Sequence, residues 1–99
     1  MHNEEEETRI ERNLQVIREY LLDQFKGLEL SKDKSDRPLC HWFIVTNIKS
    51  ATQYILQVAW SRLSDRDNSP EYIKRQLAIG DVAKTMRLMK NGKPFMWGW

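Results

Sequence analysis

Tyr54-Ile55-Leu56-Gln57-Val58-Ala59-Trp60-Ser61-Arg62-Leu63 is the stretch on which the fold turns. Read with a period of two, Tyr54, Leu56, Val58 and Trp60 share one face, and Ile55, Gln57, Ala59 and Ser61 share the other. Read as a helix from Ser50, the residues Ala51, Tyr54, Ile55, Val58, Ala59 and Leu63 form a stripe. That leaves Leu56 and Trp60 on the wrong side. The alternation accounts for the large side chains better, so the sequence predicts a strand over 54–63, with a helix as the alternative.

The preceding run supports this choice. Residues 39–46 (Leu-Cys-His-Trp-Phe-Ile-Val-Thr) are dominated by β-branched and aromatic side chains, and are too short and too uniformly apolar for a surface helix. They read as a central strand, which needs a partner for its backbone groups. Asn47 to Gln53 form the connection. Further upstream, Leu28-Glu29-Leu30 alternates like the start of a strand. Ser31 to Arg37 is wholly polar and ends at Pro38, the pattern of an exposed turn between strands.

Residues 3–26 predict the first helix. Ile10, Leu14, Ile17, Leu21 and Phe25 form one apolar stripe, Asn3 and Glu6 have the spacing of a capping box, and Gly27 is a natural stop. Residues 1–7 lie at the end where fraying is expected.

Downstream, Ser69-Pro70-Glu71 reads as a helix start. Ser caps, Pro occupies the first helical position, and Glu favours the positive end of the dipole. Ile73 and Leu77 then share a face, whereas Ile79, Val82, Met86 and Met89 lie on another, rotated by roughly half a turn. The phase changes at Gly80-Asp81. Two helices are predicted, over 70–78 and 82–90, with a Gly C-cap and an Asp N-cap between them; one continuous kinked helix is the alternative. Asn91-Gly92 ends the segment. The tail, Lys93-Pro94-Phe95-Met96-Trp97-Gly98-Trp99, is too apolar to hang free and should fold back as a short edge strand or a lid.

Ninety-nine residues with this pattern predict a single α+β domain spanning 1–99. It comprises an N-terminal helix, an antiparallel sheet of about three strands, a C-terminal helix kinked or split near Gly80, and a short aromatic tail packed on the sheet. Helix, three strands, helix is an element order that resembles the double-stranded-RNA-binding fold. The lysines which that family clusters at the start of its last helix are not matched: Lys74 and Arg75 are the nearest, with Glu71 beside them. The run 75–87 resembles a helix-turn-helix, but Ala78 and Gly80 are only two positions apart, too close for the usual crossing.

The net charge of +2 is too mild to argue nucleic-acid binding by itself. Its distribution, acidic over Glu4–Glu7 and basic over 84–93, suits helix dipoles. One cysteine, Cys40, excludes an internal disulfide and gives no metal-ligand spacing. The acidic opening is unlike a secretory signal, and no apolar run approaches a membrane span. A reducing cytoplasm is the expected location, without a membrane partner.

Three groups of residues are candidate sites. Asp65, Arg66, Asp67 and Asn68 form a polar loop; Asp65 and Asp67 could hold a hard cation, but the ligand steps of an EF-hand are absent, and turn-making is the simpler role. Lys74, Arg75, Lys84, Arg87 and Lys90 would contact nucleic acid. Trp42, Trp60, Trp97 and Trp99 could form an aromatic surface for stacking, against the simpler reading that they fill a core. Cys40 and His41 are strand neighbours on opposite faces and cannot act as a nucleophile–base pair. No catalytic, metal or cofactor constellation stands out. The expectation is a non-enzymatic binding or regulatory domain acting on a protein partner or on a second copy of itself. Nucleic-acid binding is the alternative, and a small enzyme or cation site at Asp65/Asp67 the second.

Overall fold

A computed structural model describes residues 4–36, 39–89 and 92–98. Helix α1 (Glu4–Gln24) leads into strands β1 (Glu29–Asp36), β2 (Cys40–Asn47) and β3 (Thr52–Ala59). Helices α2 (Trp60–Ser64), α3 (Pro70–Ile79) and α4 (Val82–Leu88) follow, then strand β4 (Pro94–Trp97). The sheet order is β1-β2-β3-β4, antiparallel except for the parallel pairing of β3 with β4. The predicted α+β architecture is present, with four strands rather than about three. A parallel neighbour requires a crossover, and residues 60–93 supply it with three helices.

The apolar stripe of α1 drives the packing. Ile10, Leu14, Ile17, Leu21 and Phe25 are all buried. They join Phe43, Val45, Leu56 and Val58 from the sheet, Leu63, Ile73 and Leu77, and Val82, Ala83 and Met86 in one core. Every helix therefore covers the same face of the sheet. Gly27 ends the α1 turn at φ +82°, a conformation that costs glycine little. The capping partner expected at Asn3 lies outside the described residues.

Four sequence expectations are corrected. First, Ser31–Asp36 is a strand, not a turn. As an edge strand with a single neighbour, β1 needs no apolar face, and charge on such an edge protects it from foreign strands. Its polar groups have partners: Ser31 Oγ lies 2.7 Å from Thr46 Oγ1, and a bulge between Leu30 and Lys32 adjusts the register. Arg37 and Pro38 lie outside the described residues. Second, the strand at 54–63 stops at Ala59. The Trp60 amide makes a last bond to the Leu39 carbonyl (2.9 Å), and the chain then turns into α2, carrying Leu63 into the core.

Third, the tail takes the edge-strand alternative: it is part of the sheet rather than packed upon it. β4 pairs Phe95 with Leu56 and Trp97 with Val58, which makes β3 an interior strand. Trp97 is buried, with the Arg62 guanidinium 4.3 Å from its ring centre. Fourth, the break at residues 80–81 has Gly80 as C-cap of α3 and Asp81 as N-cap of α4, as expected, but the capping geometry differs. Asp81, not Gly80, takes the left-handed conformation (φ +48°), and its side chain caps nothing. Gly80 stays right-handed, and a Cβ there would sit 3.0 Å from the Gln76 carbonyl oxygen. The cap for α4 comes from another element: Tyr20 Oη accepts the Ala83 amide at 2.9 Å. Ile79, assigned from sequence to the second apolar face, is 71% exposed, and Ala83 lies buried beside Val82 and Met86 instead.

Candidate functional site

The pairing register sorts the sheet residues by face. Leu30, Asp33, Ser35, His41, Phe43, Val45, Tyr54, Leu56, Val58, Phe95 and Trp97 point toward the helices. Lys32, Lys34, Trp42, Ile44, Ile55, Gln57, Pro94 and Met96 point away. Two cross-strand rows result on the outer face, Lys34–Trp42–Gln57–Met96 and Lys32–Ile44–Ile55–Pro94. Lys32 Nζ lies 4.9 Å from the Trp42 ring centre, a geometry in which cation and ring attract. Met96 is 53% exposed at the far edge. No described helix packs on these rows; Ile55 is buried, Trp42 and Ile44 are half-buried, and with Met96 they leave a partly exposed apolar strip with a lysine border.

Cys40 also lies on this outer face and His41 on the inner one, as strand alternation requires. Burial pushes the Cys40 thiol up from its ordinary range, which suits an inert side chain.

The sequence left His41 without a partner; the fold gives it two. Its Nδ1 is 2.8 Å from Ser35 Oγ and its Nε2 2.5 Å from Asp33 Oδ1, while Arg18 of α1 pairs with the other Asp33 oxygen. Burial alone would raise the Asp33 carboxyl, but the bonds from Arg18 and His41 hold it below its usual range. Burial lowers His41 from its ordinary value, and the pull of Asp33 offsets this only in part. A neutral imidazole then donates from Nε2 and accepts the Ser35 hydroxyl proton at Nδ1. The order hydroxyl, imidazole, carboxylate is that of a nucleophile relay. Arg18 weakens it for that purpose, because its charge already balances Asp33 and opposes a second cation on His41. The network is better suited to fastening α1 to the charged edge strand. No sequence rule links residues 18, 33, 35 and 41; only the β1–β2 register and the seating of α1 assemble them.

The predicted polar loop is internally bonded. Asp65 Oδ1 accepts the Asp67 amide (2.9 Å), Asn68 Nδ2 donates to the Arg62 carbonyl (2.8 Å), and Ser69 Oγ accepts the Tyr72 amide (3.1 Å). Asn13 on α1 anchors the loop by donating to the carbonyls of Leu63 (3.0 Å) and Asn68 (2.8 Å). Arg66 extends from this frame toward Arg9 and Arg12 of α1 around a cavity of about 470 Å³.

The basic residues do not converge. Lys74 shares a groove with Glu19 and Asp23. Arg87 donates to the Gln24 carbonyl and lies over the Phe25 ring at 4.6 Å. Arg75 and Lys84 are exposed on separate helices, and Lys90 lies outside the described residues. The four tryptophans are likewise divided. Trp42 is on the outer face, Trp97 and Trp60 pack with the core, and Trp99 lies outside the described residues. Among the described residues no helix is long and apolar enough to cross a membrane. No protein-family model, no curated protein and no solved structure matches this chain.

Proposed function

We propose that the chain is a non-enzymatic binding domain that docks a protein partner on the outer face of its sheet. The observation that carries this reading is the partly exposed strip of Trp42, Ile44 and Met96 around a buried Ile55, with no described helix packed upon it and with Lys32 and Lys34 at its border. An antiparallel sheet with one face packed normally presents polar side chains on the other, and a contiguous apolar face marks an interaction surface. The lysine border sets the partner's chemistry: an apolar protein segment flanked by carboxylates.

A second copy of the chain fits less well. A two-fold face-to-face stack lays the lysine edge of each copy either over the β4 edge of the other, where Pro94 and Met96 offer no countercharge, or over the other lysine edge, where like charges meet. A reducing, cytoplasmic setting belongs to this proposal and agrees with the buried thiol of Cys40.

The test compares the wild-type chain with Trp42→Ser/Met96→Lys as affinity baits, then titrates each purified captured protein against both in solution. Expected is a partner of acidic, partly apolar surface whose affinity falls at least about tenfold in the variant, as loss of an aromatic anchor implies. Equal binding by both baits would refute the assignment of the face. Salt-sensitive binding of oligonucleotides that depends on Lys74, Arg75 and Lys84 but not on Trp42 would favour the nucleic-acid reading instead.

A further inference from the structure

On the opposite side of the molecule from the sheet, three arginines from two elements surround one cavity. Arg9 and Arg12 are one turn apart on α1, so they project from the same side of the helix. Arg66 enters from the α2–α3 loop. Arg9 and the loop that carries Arg66 are held from behind. Arg9 Nη2 donates to the Ser64 carbonyl at 2.6 Å, and its Nε is buried with no hydrogen-bond partner among the described residues. The backbone carrying Arg66 is held by the Asp65–Asp67 turn and by Asn13. Ser69 and Pro70, at the positive end of the ten-residue helix α3, complete the wall, and Glu5 is the one carboxylate in the lining.

We infer that this arginine-lined cavity binds the phosphate group of a small phosphate monoester. Three guanidinium groups against the one Glu5 carboxylate leave two positive charges in excess. A phosphate monoester carries about −1.5 to −2 at neutral pH, so one ligand balances the site. Planar guanidinium forks match phosphate oxygens in pairs, and the end of α3 adds a partial positive charge in the same direction. The cavity, about 470 Å³, falls within the size range of small-molecule sites. It has room for an organic group beyond the phosphate, against Pro70 and the aliphatic stems of the arginines. Arg12 and Arg66 are exposed and free to reach a ligand, whereas Arg9 and the loop backbone are already held, so the ordering cost of binding falls on two side chains only.

The test is calorimetric or NMR titration of the full chain with glycerol phosphate, a nucleoside monophosphate and inorganic phosphate, with sodium sulfate and sodium chloride at matched ionic strength. Expected is saturable binding of at least one organic monoester, strengthening as pH rises through the phosphate's second ionisation near about 6. Arg12→Gln and Arg66→Gln should each weaken it by about tenfold or more, as loss of a charge-assisted hydrogen bond implies, with the melting temperature unchanged within a few degrees. The two monoesters separate a polyol phosphate from a nucleotide as the source of the phosphate. Unchanged affinity in both variants would overturn the site. Sulfate binding as tightly as every monoester, or inorganic phosphate binding while neither monoester does, would overturn the ligand class.

Discussion

Asn13 should be the costliest single side chain to remove outside the apolar core. It is fully buried in α1, and its amide nitrogen reaches two main-chain carbonyls about fifty residues away, Leu63 at 3.0 Å and Asn68 at 2.8 Å. These two bonds set the path of the chain between α2 and α3. Replacing Asn13 with Ala deletes both donors and leaves two largely desolvated carbonyls, at about 1–1.5 kcal/mol each. The small cavity adds about 1 kcal/mol, and removal of Oδ1, buried without a partner among the described residues, gives part of the sum back, for a total near ~3 kcal/mol. That is a large share of the ~5–15 kcal/mol typical of a domain. With a urea dependence of about 1–3 kcal/mol per molar, the midpoint should fall by about 1–3 M at unchanged slope. Asn13→Asp adds a sharper control. A buried carboxylate facing two carbonyls cannot donate, so the variant should be at least as unstable as Asn13→Ala at pH 7. On acidification it should recover relative to wild type, because the protonated acid regains one donor. An Asn13→Ala loss under about 1 kcal/mol, or no relative recovery of Asn13→Asp in acid, would refute the reasoning.

Three further outcomes rest on the same structure. Burial lowers His41 below its ordinary value against the pull of Asp33, with Arg18 lowering it further; protonation therefore favours the unfolded chain. Stability should be full above about pH 6.5 and fall as pH drops through that value toward the lower folded one. The only other histidine is His2, so His41→Gln should flatten the profile between pH 7 and 5; urea melts at several pH values that show the variant losing as much stability as wild type over that range would sink this account. Asp33, held below its usual range, adds a separate loss at more acid pH. Ala51, in the β2–β3 turn at φ +59°, bears a left-handed cost that glycine avoids. Ala51→Gly should raise stability by about 0.5–1 kcal/mol, and a lowered melting temperature would show that the turn is not strained there.

The sequence by itself determined the elements whose signal is local. The stripe Ile10–Phe25 recurs at helical spacing and is buried throughout. The run 39–46 is rich in β-branched and aromatic side chains, the composition of a strand with neighbours on both edges. Ser69-Pro70-Glu71 caps α3 as its chemistry implies. The change of phase at residues 80–81 was legible because a helix cannot rotate its apolar face without breaking.

What only the tertiary structure decided was partnership. β1 is polar because an edge strand is stabilised by its neighbour and by Arg18 rather than by its own burial, so composition alone reads it as a turn. Ala59 and Trp60 lie on either side of a strand-to-helix switch within one apolar run, and the boundary depends on where the Leu39 carbonyl stands. β4 could be foreseen as a strand, but its parallel place beside β3 follows from the length of the crossover. Arg18, Asp33, Ser35 and His41 meet through register. Arg9, Arg12 and Arg66 meet because Asn13 fastens the loop that carries Arg66, and the outer face became visible only when all four helices were found on the other side. Residue type and spacing encode hydrogen-bonding ladders and periodic faces; they do not encode which distant surfaces those faces bring together, and both candidate binding surfaces of this protein are made of such meetings.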